Sequence, residues 1–315
     1  MIELLATAPL SAYLAQQLRA HFVVHELAGA DDAGPLPAAA DRIRAVTGAG
    51  DTKVGGALIG MLPALEIISI FGVGYDGVDL AAAKQRDVVV THTPDILNDD
   101  VADLALALML AVSRQIVQAD RHARCGQWLQ GPMALGRKMS GARLGLVGMG
   151  RIGQRIALRA QAFGMHVAYT ARNRRADVPH AYHPDAASLA AASDFLVVIA
   201  PGGRATEKMI DARALRALGP RGFLVNVARG SLVDEQALVE ALEQGVIAGA
   251  ALDVFQHEPN VPEKLCRMPN VVLTPHIGTA TEDTRRAMAD LVVANLRAHF
   301  AGEPLPSPIP ECRRA

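Results

Sequence analysis

Three polar side chains stand just beyond apolar runs that read as core strands: Arg229 in VNVARGSLVDE, Glu258 in ALDVFQHEP and His276 in LTPHIGT. Taken singly, each has a plain structural explanation. His276 could be a satisfied core histidine, Arg229 a surface ion-pair partner, and Glu258 a carboxylate opening a helix. Together they form a chemical set, because open α/β sheets bind ligands at the carboxyl ends of their strands. An imidazole titrates near neutrality and can donate and recover a proton. A carboxylate on its other ring nitrogen would favour the imidazolium form. A guanidinium would bind an anionic substrate and put fixed positive charge where a carbonyl oxygen turns negative.

Residues 144–153, LGLVGMGRIG, are a short apolar strand running into Gly148-Met149-Gly150-Arg151-Ile152-Gly153. Ile156, Ala160 and Phe163 continue the face that Ile152 starts, so a helix opens on the glycines. GxGxxG alone is a weak signal, and a ligand-free turn is its plain reading. Between a strand and a helix, the glycines allow a tight turn, let a pyrophosphate approach the backbone and let helix and strand pack closely. The expected contacts there are Gly148, Met149, Gly150, Arg151 and Ile152. An acid that grips the ribose 2′-hydroxyl usually ends the next strand. Here HVAYT ends in Thr170 and continues Ala171-Arg172-Asn173-Arg174-Arg175. A carboxylate would repel a 2′-phosphate, whereas a hydroxyl and guanidiniums would bind it. The expected cofactor is NADP(H) in preference to NAD(H), with Arg172 as main clamp and Thr170, Asn173 and Arg174 assisting. A solvated basic loop is the alternative.

Rigid elements must hold these groups. IELLATA and HFVVHEL read as strands around the helical SAYLAQQLRA, followed by the loop AGADDAGPLP, a helix near AAADRIRAV and a strand around Val46 to Gly48. LEIISIFGVGYDGV is a strand entering a turn, and DVVVTHTP is another strand. This βα rhythm predicts a small parallel sheet covered by helices. Pro94 reads as a hinge, with helix from about Asn98. Beyond it, six strand-like runs beginning with LGLVG alternate with helices, which fits a doubly wound sheet. The last helix, TEDTRRAMADLVVANLRAHFAG, is expected to return to the first domain, with Pro304, Pro306, Pro308 and Pro310 in an extended tail. The fold class is α/β. Residues 1–94 and 284–315 form an outer domain, and an inserted dinucleotide-binding domain spans 95–283.

At 315 residues the chain is long enough for two domains, and half of it is hydrophobic. The net charge of −1 gives no global field for nucleic acid. Cys125, Cys266 and Cys312 are far apart and lack CxxC pairing, so they read as reduced thiols and no metal site is expected. The start MIELLATAPL lacks a signal-peptide pattern. The apolar stretch VADLALALMLAV contains Asp103 and falls well short of the ~20 residues that span a bilayer. It reads as a buried helix, and the protein as cytoplasmic with no membrane partner.

GMGRIG, VNVARGSLVDE, LDVFQHEP and TPHIG, in this order, resemble the D-isomer-specific 2-hydroxyacid dehydrogenase family. SIFGVGYDGVDL and DDVADLALALML extend the resemblance over most of the chain, and within the family it is nearest to glyoxylate/hydroxypyruvate and hydroxyphenylpyruvate reductases. The resemblance implies two Rossmann-like domains, the smaller one flavodoxin-like, and an Arg229–Glu258–His276 catalytic set reducing a 2-keto acid. It also implies a homodimer built through the helical region after Pro94. Substrate contacts carried over are Val54, Gly55, Val73 and Gly74 beside Arg229 and His276. The turn FGVGYDG exposes amides suited to an anion, although a tight turn between strand and helix is an equal reading. Asp253 and Ala228 match positions near the nicotinamide amide, and Ala200, Pro201, Val227 and Gly278 complete the expected cofactor contacts. Many members have Leu-Thr-Pro where this chain has Gly202-Gly203-Arg204, which places a further guanidinium on the adenosine side. Trp128 and Met133 lie in a segment that can reach a neighbouring subunit's site in some relatives; core or dimer packing is the plainer role for the Trp. Two alternatives accompany this reading: the same chemistry on a bulkier acid such as hydroxyphenylpyruvate, and a nucleotide-sensing scaffold like the corepressors that share the fold. The absence of a long tail after the last helix weighs against the scaffold.

Overall fold

Leu4 and Leu5 point to opposite sides of one strand and both are wholly buried, which is the signature of a parallel sheet covered on two faces. The fold is a computed structural model that describes residues 1–27, 36–50 and 52–312. It divides into two units, Met1–Leu97 with Thr281–Ala315, and Asn98–Ala280. Of the loop expected over 28–37, residues 28–35 lie outside the described residues.

The first unit runs β1 (Ile2–Ala6), α1 (Ala12–Arg19), β2 (Phe22–Glu26), β3 (Ile43–Ala49), α2 (Gly56–Met61), β4 (Ile67–Phe71), α3 (Leu80–Gln85) and β5 (Val89–Thr91). Its strands are all parallel, in the order β2-β1-β3-β4-β5, the flavodoxin-like order. Side chains alternate between the two faces. Leu5, Val46, Ile68 and Val90 pack against Leu58, Ile59 and Ala83 of α2 and α3, while Leu4, Ala45 and Ile67 meet Leu14 and Leu18 of α1. The helix expected near 38–46 does not form. A single 3₁₀ turn, Ala40–Arg42, leads straight into β3, which starts three residues earlier than expected. β3 is the central strand, hydrogen-bonded on both sides, and burial of Ile43, Ala45 and Val46 overrides the helical preference of the alanine run.

The second unit opens with α4 (Asn98–Ser113) and α5 (Ile116–Arg124). It continues with β6 (Arg143–Val147), α6 (Arg151–Ala162), β7 (His166–Thr170), β8 (Ala181–Tyr182), α7 (Ala186–Ala191), β9 (Phe195–Val198) and α8 (Ala212–Leu218). It ends with β10 (Phe223–Asn226), α9 (Glu235–Glu243), β11 (Gly249–Leu252), α10 (Glu263–Arg267) and β12 (Val271–Leu273). The sheet is parallel throughout, in the order β12-β11-β10-β9-β6-β7-β8, so strand order reverses between β6 and β9. Among the described residues it has seven strands, one more than the six that the apolar runs predict. The addition, β8, is two residues long and half exposed, too short to carry a hydrophobic period. Asp185, Asp211 and Asp234 cap α7, α8 and α9, which pack on one face through Leu189, Leu215, Leu238 and Leu242. α4 and α6 cover the other, and the apolar run of α4 is buried there through Val101, Ala105, Leu108 and Met109. Among the described residues no helix is long and apolar enough to cross a membrane.

The chain then re-enters the first unit as α11 (Glu282–Ala301), capped by Thr281 and ended by Gly302 at φ 71. Val292, Val293 and Leu296 of α11 share the core of Leu4 and Leu18. The proline-bearing tail runs beside β5, where the Ile309 N–H donates to the Val90 carbonyl, and ends in a 3₁₀ turn, Pro310–Cys312.

Candidate active site

The glycine loop lies at the crevice where strand order reverses, and each glycine has a separate steric reason. Gly148 sits at φ 109, and a Cβ there would lie 2.8 Å from the Ile199 carbonyl oxygen and 2.9 Å from the Ala200 nitrogen. A Cβ on Gly153 would lie 2.5 Å from the Gly148 carbonyl oxygen, so this glycine lets α6 close on the strand. Gly150 differs, because a Cβ there would meet nothing within 4 Å. Open space on the second glycine, and a twelve-residue helix with no side-chain cap at its N-terminus, are what a dinucleotide pyrophosphate requires. The residues fit the cofactor. Met149 is buried, Arg151 is exposed and Ile152 is half-buried on the first turn of α6; Ala200 and Pro201 follow β9 alongside Gly148.

β7 ends at Thr170, paired with Val147 and buried, and its carbonyl accepts the Gly148 N–H at 2.9 Å. The basic turn after it is not uniform. Arg172, Asn173 and Arg174 are exposed, and among the described residues neither Arg172 nor Arg174 makes a hydrogen bond or ion pair. Arg175 is engaged through all three of its nitrogens: Nη1 donates to the Met149 carbonyl at 2.7 Å, while Nε and Nη2 grip Asp177. Arg204 is exposed on the loop after β9, where the Thr206 hydroxyl donates to the Pro201 and Gly203 carbonyls.

Arg229, Glu258 and His276 come together within this unit. His276 Nδ1 meets Glu258 Oε2 at 2.7 Å, and the other oxygen, Oε1, accepts the Phe255 N–H at 2.9 Å. Burial pushes the Glu258 carboxyl up. The His276 hydrogen bond and charge, the Phe255 N–H and the Arg229 charge outweigh that and hold it below its ordinary value. Arg229 follows β10, and its Nη1 donates to the Ala228 carbonyl at 2.8 Å. The turns that carry Arg229 and Glu258 touch through Gly230, where any Cβ would overlap the Phe255 carbonyl and the Gln256 nitrogen. His276 has φ 53, a left-handed conformation uncommon outside glycine.

Buried braces hold these turns. Asp253, 1% exposed, accepts the Thr274 hydroxyl and Ile277 N–H on Oδ1 and the Gly278 N–H on Oδ2, while its own carbonyl accepts the His276 N–H. Asn226 accepts the Ala228 N–H and donates to the Arg229 carbonyl, which fixes Val227 and Ala228, both buried, beneath the arginine. The sequence pointed to Asp253 only by resemblance, and Asn226 not at all. A polar residue at the end of an apolar strand run, three places before Arg229 in one case and five before Glu258 in the other, is the signal both share.

In the first unit, Val54–Gly55 and Val73–Gly74 occupy loops after the adjacent strands β3 and β4. The Val54 N–H donates to the Gly77 carbonyl and Asp79 N–H to the Val54 carbonyl, which joins the two loops, and Gly55 opens α2. The Val73 carbonyl accepts from Nδ1 of the buried His92 at 2.9 Å, and the Gly72 carbonyl from the Thr93 N–H. His92 was not singled out in the sequence. Among the described residues no cluster of His, Cys, Asp and Glu could hold a metal ion.

Residues 106–278 match the family described as D-isomer specific 2-hydroxyacid dehydrogenase, NAD binding domain. Glyoxylate/hydroxypyruvate reductase A of Arabidopsis thaliana is 45% identical over 309 residues, 98% of this chain and 99% of that protein. Hydroxyphenylpyruvate reductase of Plectranthus scutellarioides is 45% identical over the same length, again 98% and 99% of the two chains. The crystal structure of an NADPH-dependent glyoxylate/hydroxypyruvate reductase from Sinorhizobium meliloti, in complex with NADP and malonate, matches with a TM-score of 0.93 at 43% identity, covering 100% of this chain and 99% of that one.

Proposed function

The chain belongs to the D-isomer-specific 2-hydroxyacid dehydrogenase family, and from that premise we propose that it reduces small 2-keto acids, glyoxylate and hydroxypyruvate foremost, with NADPH. Reduced nicotinamide, when held there, would supply the hydride for the keto carbon. Arg229 holds the substrate carboxylate and polarises the keto oxygen. His276 gives that oxygen its proton from Nε2, since Nδ1 is held by Glu258. Glu258 fixes the ring's orientation and stabilises its charged form before the proton leaves. In the first unit, the amides of Gly55, Val73 and Gly74 offer neutral donors suited to an anion, whereas the Val54 N–H is spent on the Gly77 carbonyl. Arg172 and Arg174, helped by Thr170 and Asn173, take the 2′-phosphate, and the start of α6 takes the pyrophosphate. The observation that carries this reading is the 2.7 Å His276–Glu258 contact with the Arg229 charge acting on the same carboxylate.

The seven-stranded unit is then the cofactor domain and the five-stranded unit the substrate domain. A homodimer is supported by a concentration of exposed apolar side chains in one stretch, Ile116, Val117, Trp128, Leu129 and Leu135, the last two more than 90% exposed. Sedimentation equilibrium should give twice the 33.2 kDa chain mass; a monomer at micromolar concentration contradicts it. Equal similarity to a hydroxyphenylpyruvate reductase keeps a bulkier acid as the second substrate reading. Steady-state assays of glyoxylate, hydroxypyruvate and hydroxyphenylpyruvate with each cofactor decide. Highest kcat/KM for a small acid with NADPH is the expected result. Dominant NADH activity overturns the cofactor choice, preference for hydroxyphenylpyruvate overturns the substrate choice, and no turnover of any acid overturns the enzyme reading.

A further inference from the structure

We propose that Arg175 is a positioning residue for the cofactor: a strut that aims the glycine loop at the pyrophosphate, with no contact to the 2′-phosphate. The inference rests on the NADPH reading above and divides the three arginines of the basic turn by task. A guanidinium offers five N–H donors in a rigid plane. In Arg175 one edge of that plane is spent on Asp177 and Nη1 on the Met149 carbonyl. A carboxylate held against a guanidinium is the wrong neighbour for a phosphate dianion. Arg172 and Arg174 carry no such partner among the described residues and remain exposed.

Both ends of the strut are defined. At its base, the Arg175 N–H donates to the Tyr169 hydroxyl at 2.8 Å, and that hydroxyl donates to the Arg175 carbonyl at 3.3 Å. Tyr169 is wholly buried in β7, so the base is anchored in the sheet. At the tip, Met149 stands between two glycines, where the backbone has the most freedom to lose. A trans peptide sets a carbonyl and the following N–H in opposite directions. Pinning the Met149 carbonyl toward Arg175 therefore turns the Gly150 N–H to the other side. The pyrophosphate is common to NADPH and NADH, so the strut should serve both equally.

Dissociation constants of the purified full chain for NADPH and NADH, read by nicotinamide fluorescence, separate the roles. Arg175→Ala is expected to weaken both cofactors by about tenfold, the size of one lost charge-assisted hydrogen bond, with their ratio unchanged within about twofold. Arg175→Lys should not rescue, because a single ammonium cannot span Met149 and Asp177 together. Arg172→Ala should weaken NADPH alone. If Arg175→Ala weakens NADPH selectively, or changes neither cofactor, the strut is overturned. If Arg175→Ala weakens both while Arg172→Ala leaves NADPH untouched, the strut stands and the phosphate clamp fails. Should Arg175→Ala not fold, Asp177→Asn loosens the same fork. An equal loss for both cofactors supports the strut, and tighter NADPH binding alone overturns it.

Discussion

His276 occupies a backbone conformation that histidine seldom takes, and three consecutive amide groups, those of His276, Ile277 and Gly278, are held there by Asp253. The proposed acid is thus aimed by its own turn as well as by Glu258. The carboxylate of Glu258 is the other fixed point. Its folded value lies below the ordinary 4.5, so its contribution to stability is complete above about pH 4.5 and is lost as pH falls through the depressed value. At neutral pH the charge is present, and Glu258→Gln removes it while keeping an oxygen for Nδ1. We expect kcat to fall ~100-fold with NADPH affinity unchanged, within the span of general acid–base effects. A Gln variant with the wild-type kcat would show that orientation alone suffices. Arg229, Glu258 and His276 were legible in the sequence because charged side chains directly after apolar strand runs have no packing reason to be there. The braces were harder to see. Asn226 and Asp253 satisfy turn amides that exist only once the turns are folded, and Arg175 reads like the two arginines before it until its partners are in place.

At the scale of elements, turns from neighbouring strands bring the set together, and their close approach depends on side-chain absence. Gly230→Ala would drive a Cβ into the backbone at Phe255, which cannot yield as a flexible side chain would. Denaturant melts should show a loss of about 1–3 kcal/mol, with kcat lowered as the Arg229 and Glu258 turns are forced apart. Unchanged stability would mean that the contact between these turns is looser than described. A second junction joins β6 to β9: Asp194 accepts from Arg137 and from the backbone and guanidinium of Arg143. The Arg143 hydrogen bond, set against burial and helped by both arginine charges, holds its carboxyl at about 2. Because that value lies below the ordinary 3.8, this contribution is full above about pH 4 and disappears on acidification toward pH 2. Asp194→Asn should cost roughly 2 kcal/mol at pH 7, and the gap to wild type should close in melts taken near pH 2. Elements with a strong apolar period, such as α4, β9 and β10, could be read directly from the sequence. The first residues of β3 and the whole of β8 could not, since pairing with neighbours rather than local preference makes them strand.

At the scale of the whole molecule, one βα rhythm builds two parallel sheets whose orders differ, β2-β1-β3-β4-β5 and β12-β11-β10-β9-β6-β7-β8. Only the second carries the glycine loop at its reversal and the Arg229–Glu258–His276 set at its strand ends, so cofactor and proton chemistry are assigned to one scaffold. The identity of the keto acid and the cofactor preference depend on a few exposed side chains, whose type is visible in sequence but whose ligands are not. The central claim is that a proton from His276 completes the reduction. Its most direct test is single-turnover reduction of glyoxylate by saturating NADPH in His276→Ala, with NADPH affinity measured on the same protein. A fall of at least ~100-fold in rate with cofactor binding intact is the predicted result; a rate within severalfold of the unaltered chain would contradict it.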